Sequence, residues 1–154
     1  MSTPTGVAAA RAHLAAARPE GGGARCRVER ADFFEPGGEC GSEAFDLVYD
    51  CTFLCAIPPE RRAAWAERVD AQLRPGGELV ALVFPAPAPG APDPADAADT
   101  AAAAGRGPPF AISPRLVERL LAPRGFERVL VEAVPEARRA RAGREFITRW
   151  RKPA

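Results

Sequence analysis

Two carboxylates, two thiols, a hydroxyl and several aromatic rings fall where runs that read as β-strands come to an end. Asp32-Phe33 lies at the end of CRVERADFF, residues 26–34. Asp50-Cys51-Thr52 follows FDLVY, residues 45–49, and Cys55 comes four residues after Cys51. Phe84-Pro85 closes LVALVF, residues 79–84, and a separate run, Gly107-Pro108-Pro109-Phe110, is placed to reach over the same rim. In an open parallel α/β sheet the carboxyl ends of the strands share one edge, and small ligands bind there. An apolar pocket rimmed by acids suits a cationic or amine-bearing ligand, because carboxylates and aromatic faces both stabilise positive charge. Asp32 and Asp50 also fit a plainer role as caps of loops or of the helices that come next. The single histidine, His13, is remote, and no serine stands in a nucleophile-elbow setting, so Ser-His-Asp hydrolysis is not expected.

The elements that must position these groups are set by periodicity and punctuation. Residues 7–17 are alanine-rich and read as a helix with Thr5 as N-cap, stopped by Pro19 and Gly21-Gly22-Gly23. Residues 45–49 contain Leu47-Val48-Tyr49, a core that fits a strand covered on both faces. Pro58-Pro59 opens a helix with Glu60 near its positive end, and Trp65, Val69 and Leu73 form one apolar stripe beside Ala66. Pro75-Gly76-Gly77 is expected to end that helix and turn the chain into residues 79–84, the best candidate for a central parallel strand. Residues 86–105 hold proline, alanine, glycine and aspartate without large apolar side chains, so they read as a flexible insertion with a short alanine helix near 95–104. Ser113-Pro114 is an N-cap followed by proline at the first helical position, and Gly125 ends that helix. Residues 126–134 and 146–150 read as strands in succession, which implies an antiparallel hairpin at one edge of an otherwise parallel sheet.

Composition narrows the function classes. With 21 basic and 20 acidic residues the net charge is +1, which argues against general binding to nucleic acid or to anionic membranes. No run approaches the roughly 18 apolar residues of a membrane helix. Four cysteines (26, 40, 51 and 55) without a signal peptide suggest buried free thiols in a reducing, cytoplasmic setting. The CxxxC spacing of Cys51 and Cys55 lacks the further convergent ligands that zinc needs. The first 19 residues contain no acid, a composition shared with organelle transit peptides, although a domain helix explains them better.

FDLVYDCTFLCAIPPERRAAWAERVDAQLRPGGELVALVFP, then GPPFAISPRLVERLLAPRGFERV, then GREFITRWRK occur in this order. Together they resemble the second half of the thiopurine S-methyltransferase superfamily, and most closely its plant-type thiol and halide methyltransferase branch. The resemblance covers nearly the whole chain apart from the insertion. It implies a class I, Rossmann-like α/β sheet of order 3-2-1-4-5-7-6 and S-adenosylmethionine as cofactor. By that resemblance Asp32 contacts the adenine amino group and Phe33 its ring face. Asp50, Cys51 and Thr52 come after strand four, beside the methionine portion and the transferring methyl group. Phe84 and Pro85 end strand five, and Gly107, Pro108, Pro109 and Phe110 form the loop that closes over the acceptor pocket. Cys51 stands where relatives of that branch carry a bulky tyrosine or arginine, which implies an altered pocket.

The segment from Ser2 onward resembles the stretch just after the family's second strand. Strands one and two, the glycine-rich cofactor loop and the ribose-binding acid are then expected to be missing, and Gly21-Gly22-Gly23 comes after a helix rather than a strand. Two functions compete on this reading. One is methyl transfer to a small soft nucleophile by an incomplete chain with impaired cofactor binding. The other is a catalytically inactive module that acts through protein interaction.

Overall fold

A computed structural model describes residues 4–16, 27–35, 45–98, 107–135, 141 and 143–154. They belong to two units, Met1–Glu39 and Cys40–Ala154.

In the first unit, helix α1 spans Pro4–Ala16. It starts at a proline, whose missing N–H is no loss in a first turn, so Thr5 lies inside the helix and is not its N-cap. Arg11 Nε donates to the Val28 carbonyl (2.9 Å). The strand expected over residues 26–34 does not form among residues 27–35, which carry a turn at Phe33-Phe34. The physical reason is the run's content. Arg27, Glu29, Arg30 and Asp32 place charge on both alternate faces, which leaves no apolar face to press onto a core. Asp32 instead bends the backbone locally: its Oδ1 accepts from Phe34 N (2.9 Å) and its carbonyl from Glu35 N (3.2 Å).

The second unit is a four-stranded sheet with helices packed against it. Strand β1 is Phe45–Cys51, helix α2 Arg62–Gln72, β2 Leu73–Val83, α3 Pro114–Leu121, β3 Glu127–Ala133 and β4 Phe146–Arg151. Their spatial order is β1-β2-β4-β3. Strands β1 and β2 run parallel, with Val48 opposite Leu79 and Cys51 opposite Leu82. The β2–β4 and β3–β4 pairs are antiparallel, so the expected terminal hairpin is present. Alternate residues of this sheet, Leu79, Ala81 and Val83 of β2 with Thr148 and Trp150 of β4, are buried. The apolar stripe of α2 (Trp65, Ala66, Val69) and the buried side of α3 (Leu116, Val117, Leu121) complete this core.

Strand β1 departs from expectation. Leu47 and Tyr49 are 53% and 58% exposed, so β1 is not covered on both faces. It is one of the two edge strands of the described sheet, and an edge strand loses cover from its side as well as from above. Strand β2 also begins earlier than expected, at Leu73, with Pro75-Gly76-Gly77 inside it as an irregularity between the pairs Phe45–Leu73 and Leu47–Glu78. Two glycines are needed there. Gly76 has φ +75°, and a Cβ on Gly77 would meet the Arg74 and Asp46 carbonyl oxygens at 2.9 and 3.1 Å.

Within the expected insertion, residues 86–98 are held by a polar anchor. Asp93 Oδ1 accepts from Ala95 N (2.8 Å) and from Ser113 Oγ (2.7 Å), and Ala86, Pro94 and Ala95 are buried. A 3-10 turn spans Pro94–Asp96; most of the alanine helix expected near 95–104 falls on residues 99–106, which lie outside the described residues. Ser113 caps α3 as its sequence position implies, its Oγ accepting from Leu116 N (3.0 Å).

Candidate active site

The carboxyl ends of β1 and β2 lie side by side, and three segments meet there. The first is the turn after β1. Asp50 is only 6% exposed, and its carboxylate is turned away from solvent. Oδ1 accepts from Phe53 N (2.8 Å) and Leu54 N (3.3 Å), while Oδ2 accepts from Leu54 N (3.2 Å) and the Trp65 indole N–H (2.9 Å). Burial raises its pKa above the ordinary carboxylate value, and these three donors oppose the rise. Asp50 therefore folds the chain after β1 back onto the first turn of α2.

Alternation then sends Cys51 to the opposite side of the strand, where its thiol is exposed. The Tyr49 phenol is held above its usual pKa, first by its hydrogen bond with Cys51. Thr52 has φ +64°, a left-handed backbone that a β-branched residue adopts only under strain. Its hydroxyl donates to the Cys51 carbonyl (2.7 Å), and Cys55 Sγ donates to the Thr52 carbonyl (3.2 Å).

The second segment is Phe84-Pro85, just past β2, with Pro85 buried and Phe84 half-buried. The third is the loop from Gly107 to Ile112, fastened to both strand ends. Phe110 N donates to the Cys55 carbonyl (2.7 Å), Ile112 N to the Pro85 carbonyl (3.1 Å), and Arg62 Nη2 to the Ala111 carbonyl (3.1 Å). The Phe110 ring is buried and packs so close to Gly107 that a Cβ there would lie 2.4 Å from it. Pro108 and Pro109 face solvent.

The structure thus brings together Asp50, Cys51, Thr52, Phe84, Pro85 and Gly107 to Phe110. Asp32 and Phe33 belong to the other unit, so the rim described here has two strand ends, not three. Among the described residues no three side chains gather to hold a metal ion, and no helix is long and apolar enough to cross a membrane. Sequence reasoning misses three contributors. Trp65 reads as part of the core stripe alone, although a buried indole N–H needs an acceptor. Arg62 and Arg141 sit in runs that read only as charged, and Arg141 lies over the Phe84 ring.

A parallel β1–β2 pair extended by an antiparallel hairpin, in the order β1-β2-β4-β3, is an arrangement found in class I S-adenosylmethionine-dependent methyltransferases. A solved 1,6-didemethyltoxoflavin-N1-methyltransferase from Burkholderia thailandensis, with bound S-adenosylhomocysteine, shares it at a TM-score of 0.63 and 19% identity, over 99% of this chain and 59% of that one. The thiopurine S-methyltransferase family model matches residues 23–150, and the chain belongs to that family. Thiocyanate methyltransferase 1 of Arabidopsis thaliana is 38% identical over 111 residues, 72% of this chain and 42% of that protein. Probable thiol methyltransferase 2 of the same plant is 37% identical over 123 residues, 79% of this chain and 46% of that protein. The chain spans a little under half the length of these two relatives.

Proposed function

We propose that this chain carries the acceptor side of an S-adenosylmethionine-dependent methyltransferase acting on a small soft nucleophile: a thiol, bisulfide, a halide or a thiopurine. The observation that carries the reading is the loop from Gly107 to Ile112, hydrogen-bonded at Cys55 through Phe110 and at Pro85 through Ile112, across two parallel strand ends. The residues present fit the cofactor at its reactive end. The strained Thr52 turn presents backbone and hydroxyl at the rim, and the inward bonding of Asp50 fixes that turn. Cys51 and Thr52 would flank the methionine portion, and Asp50 would act through the turn it holds. S-adenosylmethionine, when bound, supplies an electrophilic methyl group on a positively charged sulfur.

The chain's own residues would contribute positioning and exclusion of water. Cys51, Phe84, Pro85 and the loop Gly107-Pro108-Pro109-Phe110 would line the acceptor pocket, and the buried Phe110 ring fixes its floor. A thiol with an ordinary pKa near 8.5 is partly ionised at neutral pH, so its proton can leave to water before attack and no side-chain base is required. Alignment and a dry pocket then carry the rate.

The test is product formation. The chain joined behind the first part of the Arabidopsis thiocyanate methyltransferase should release methyl sulfides or methyl thiocyanate from labelled S-adenosylmethionine. A soluble, cofactor-binding protein inert toward thiols, bisulfide, thiocyanate and halides would refute it. The exposed Leu47 and Tyr49 on β1, at one edge of the described sheet, favour a second reading, a module that pairs with another chain without catalysis. That reading gains if the inert outcome is found together with a stable complex.

A further inference from the structure

A cation stands over the rim that the strand-end residues alone do not supply. The Arg141 guanidinium carbon lies 4.5 Å from the centroid of the Phe84 ring. Its Nη1 donates to Glu145 Oε1 (3.1 Å), and Glu145 is itself buried, 7% exposed. The turn that carries it is pinned to the end of β2. Ala86 N donates to the Arg144 carbonyl (2.9 Å), Arg144 Nε donates to the Ala86 carbonyl (3.0 Å), and Arg144 N donates to the Arg141 carbonyl (2.9 Å). Arg141 is therefore placed by backbone and side-chain bonds at the strand end itself.

Elementary electrostatics gives this placement two consequences. The face of an aromatic ring is negative and repels anions, and a guanidinium laid over it reverses that. A planar guanidinium also keeps in-plane donors beyond the one given to Glu145, in a fork suited to anions. The charge reaches the site's interior as well. The Cys55 thiol is held above its usual pKa by burial and by Asp50, and Arg141 opposes that rise.

We propose that Arg141, braced by Glu145 and Phe84, is a specificity residue that selects a small monovalent anion as acceptor over a neutral sulfur compound. This rests on the methyl-transfer reading for its purpose, though not for its measurement. Thiocyanate serves as the anionic probe and dimethyl sulfide as the neutral one, added to the ¹⁵N-labelled 154-residue chain and followed by two-dimensional NMR without cofactor. Thiocyanate should shift the Arg141 Nε–H and Phe84 amide signals to saturation, and dimethyl sulfide should not. Losing one charge-assisted hydrogen bond predicts that Arg141→Gln weakens thiocyanate binding by at least about tenfold. Glu145→Gln, which removes the competing charge, should tighten binding, an effect that a merely structural role would not produce.

Arg151→Gln, a change at an arginine paired with Glu78 on β2, should leave affinity unchanged. If Arg141→Gln does not fold, the order Glu145→Gln, native, Arg141→Lys in falling affinity decides the matter. Unsaturable shifts, equal response to dimethyl sulfide, or unchanged affinity in Arg141→Gln would overturn the proposal. Saturable anion binding with no methyl transfer in the joined protein would overturn the enzymatic reading alone.

Discussion

Asp50→Ala is expected to lower the unfolding free energy of the chain by about 3 kcal/mol, read from urea denaturation. The substitution leaves three donors without their acceptor: Phe53 N, Leu54 N and the Trp65 indole. An unsatisfied buried polar group costs about 1–3 kcal/mol. Phe53 is 37% exposed, so water can replace part of its bond, while the Leu54 and Trp65 groups are buried. Trp65→Phe alone should cost less, and the double variant should lose less than the sum, because both changes remove one shared bond. Asp50→Asn should be intermediate, since its amide N–H₂ faces a donor where the carboxylate had an acceptor.

The pH dependence has a defined sign. The folded-state pKa of Asp50 is raised by burial, so the folded chain holds this proton more tightly than the unfolded chain. Its contribution is full below the ordinary value of 3.8 and is lost as pH climbs through the raised one. The native chain's advantage over Asp50→Asn should therefore shrink as pH rises from 3.8. A change of under about 0.5 kcal/mol for Asp50→Ala, the size of an ordinary surface substitution, would mean the carboxylate faces outward.

The second large effect concerns the cofactor. Isothermal titration of the 154-residue chain with S-adenosylmethionine should show no micromolar binding. The same chain joined behind the first part of the Arabidopsis relative should bind at least about a hundredfold more tightly. In the family resemblance a glycine-rich loop holds the carboxypropyl arm, and the GGG at 21–23 comes after a predicted helix, not a strand. Two charge-assisted hydrogen bonds at about 1.5 kcal/mol each correspond to that factor. Micromolar binding by the 154 residues alone would show that they hold the whole cofactor.

How far the residues disclose this arrangement varies by element. The parallel neighbours β1 and β2, the N-cap at Ser113 and the α2 stripe are legible, because burial period and cap chemistry are local. The loop from Gly107 to Phe110 is legible as a group that reaches the rim. The bonds from Phe110 N to the Cys55 carbonyl and from Ile112 N to the Pro85 carbonyl are not, because backbone hydrogen bonds leave no side-chain signature. The exposure of Leu47 and Tyr49 is not legible either. An apolar run states what a strand could bury, while its neighbours decide what it does bury. The expected strand over 26–34 does not form among its described residues, 27–34, for the related reason that loose alternation with charge on both faces supplies no apolar face. Asp50 shows the limit of residue type: the same carboxylate serves as ligand or cap, and only its three donors distinguish them.

If the proposed function holds, the transferring methyl group sits at the rim formed by the ends of β1 and β2 and the loop from Gly107 to Ile112, near Thr52, Phe84 and Phe110. The most direct measurement is a ¹³C-filtered NOE experiment on the joined protein with S-adenosylmethionine labelled at its methyl carbon. Cross-peaks from that methyl to the Phe84 and Phe110 rings and the Thr52 side chain are predicted. Bound cofactor whose methyl shows cross-peaks to other residues and none to these three would contradict this placement of the reaction.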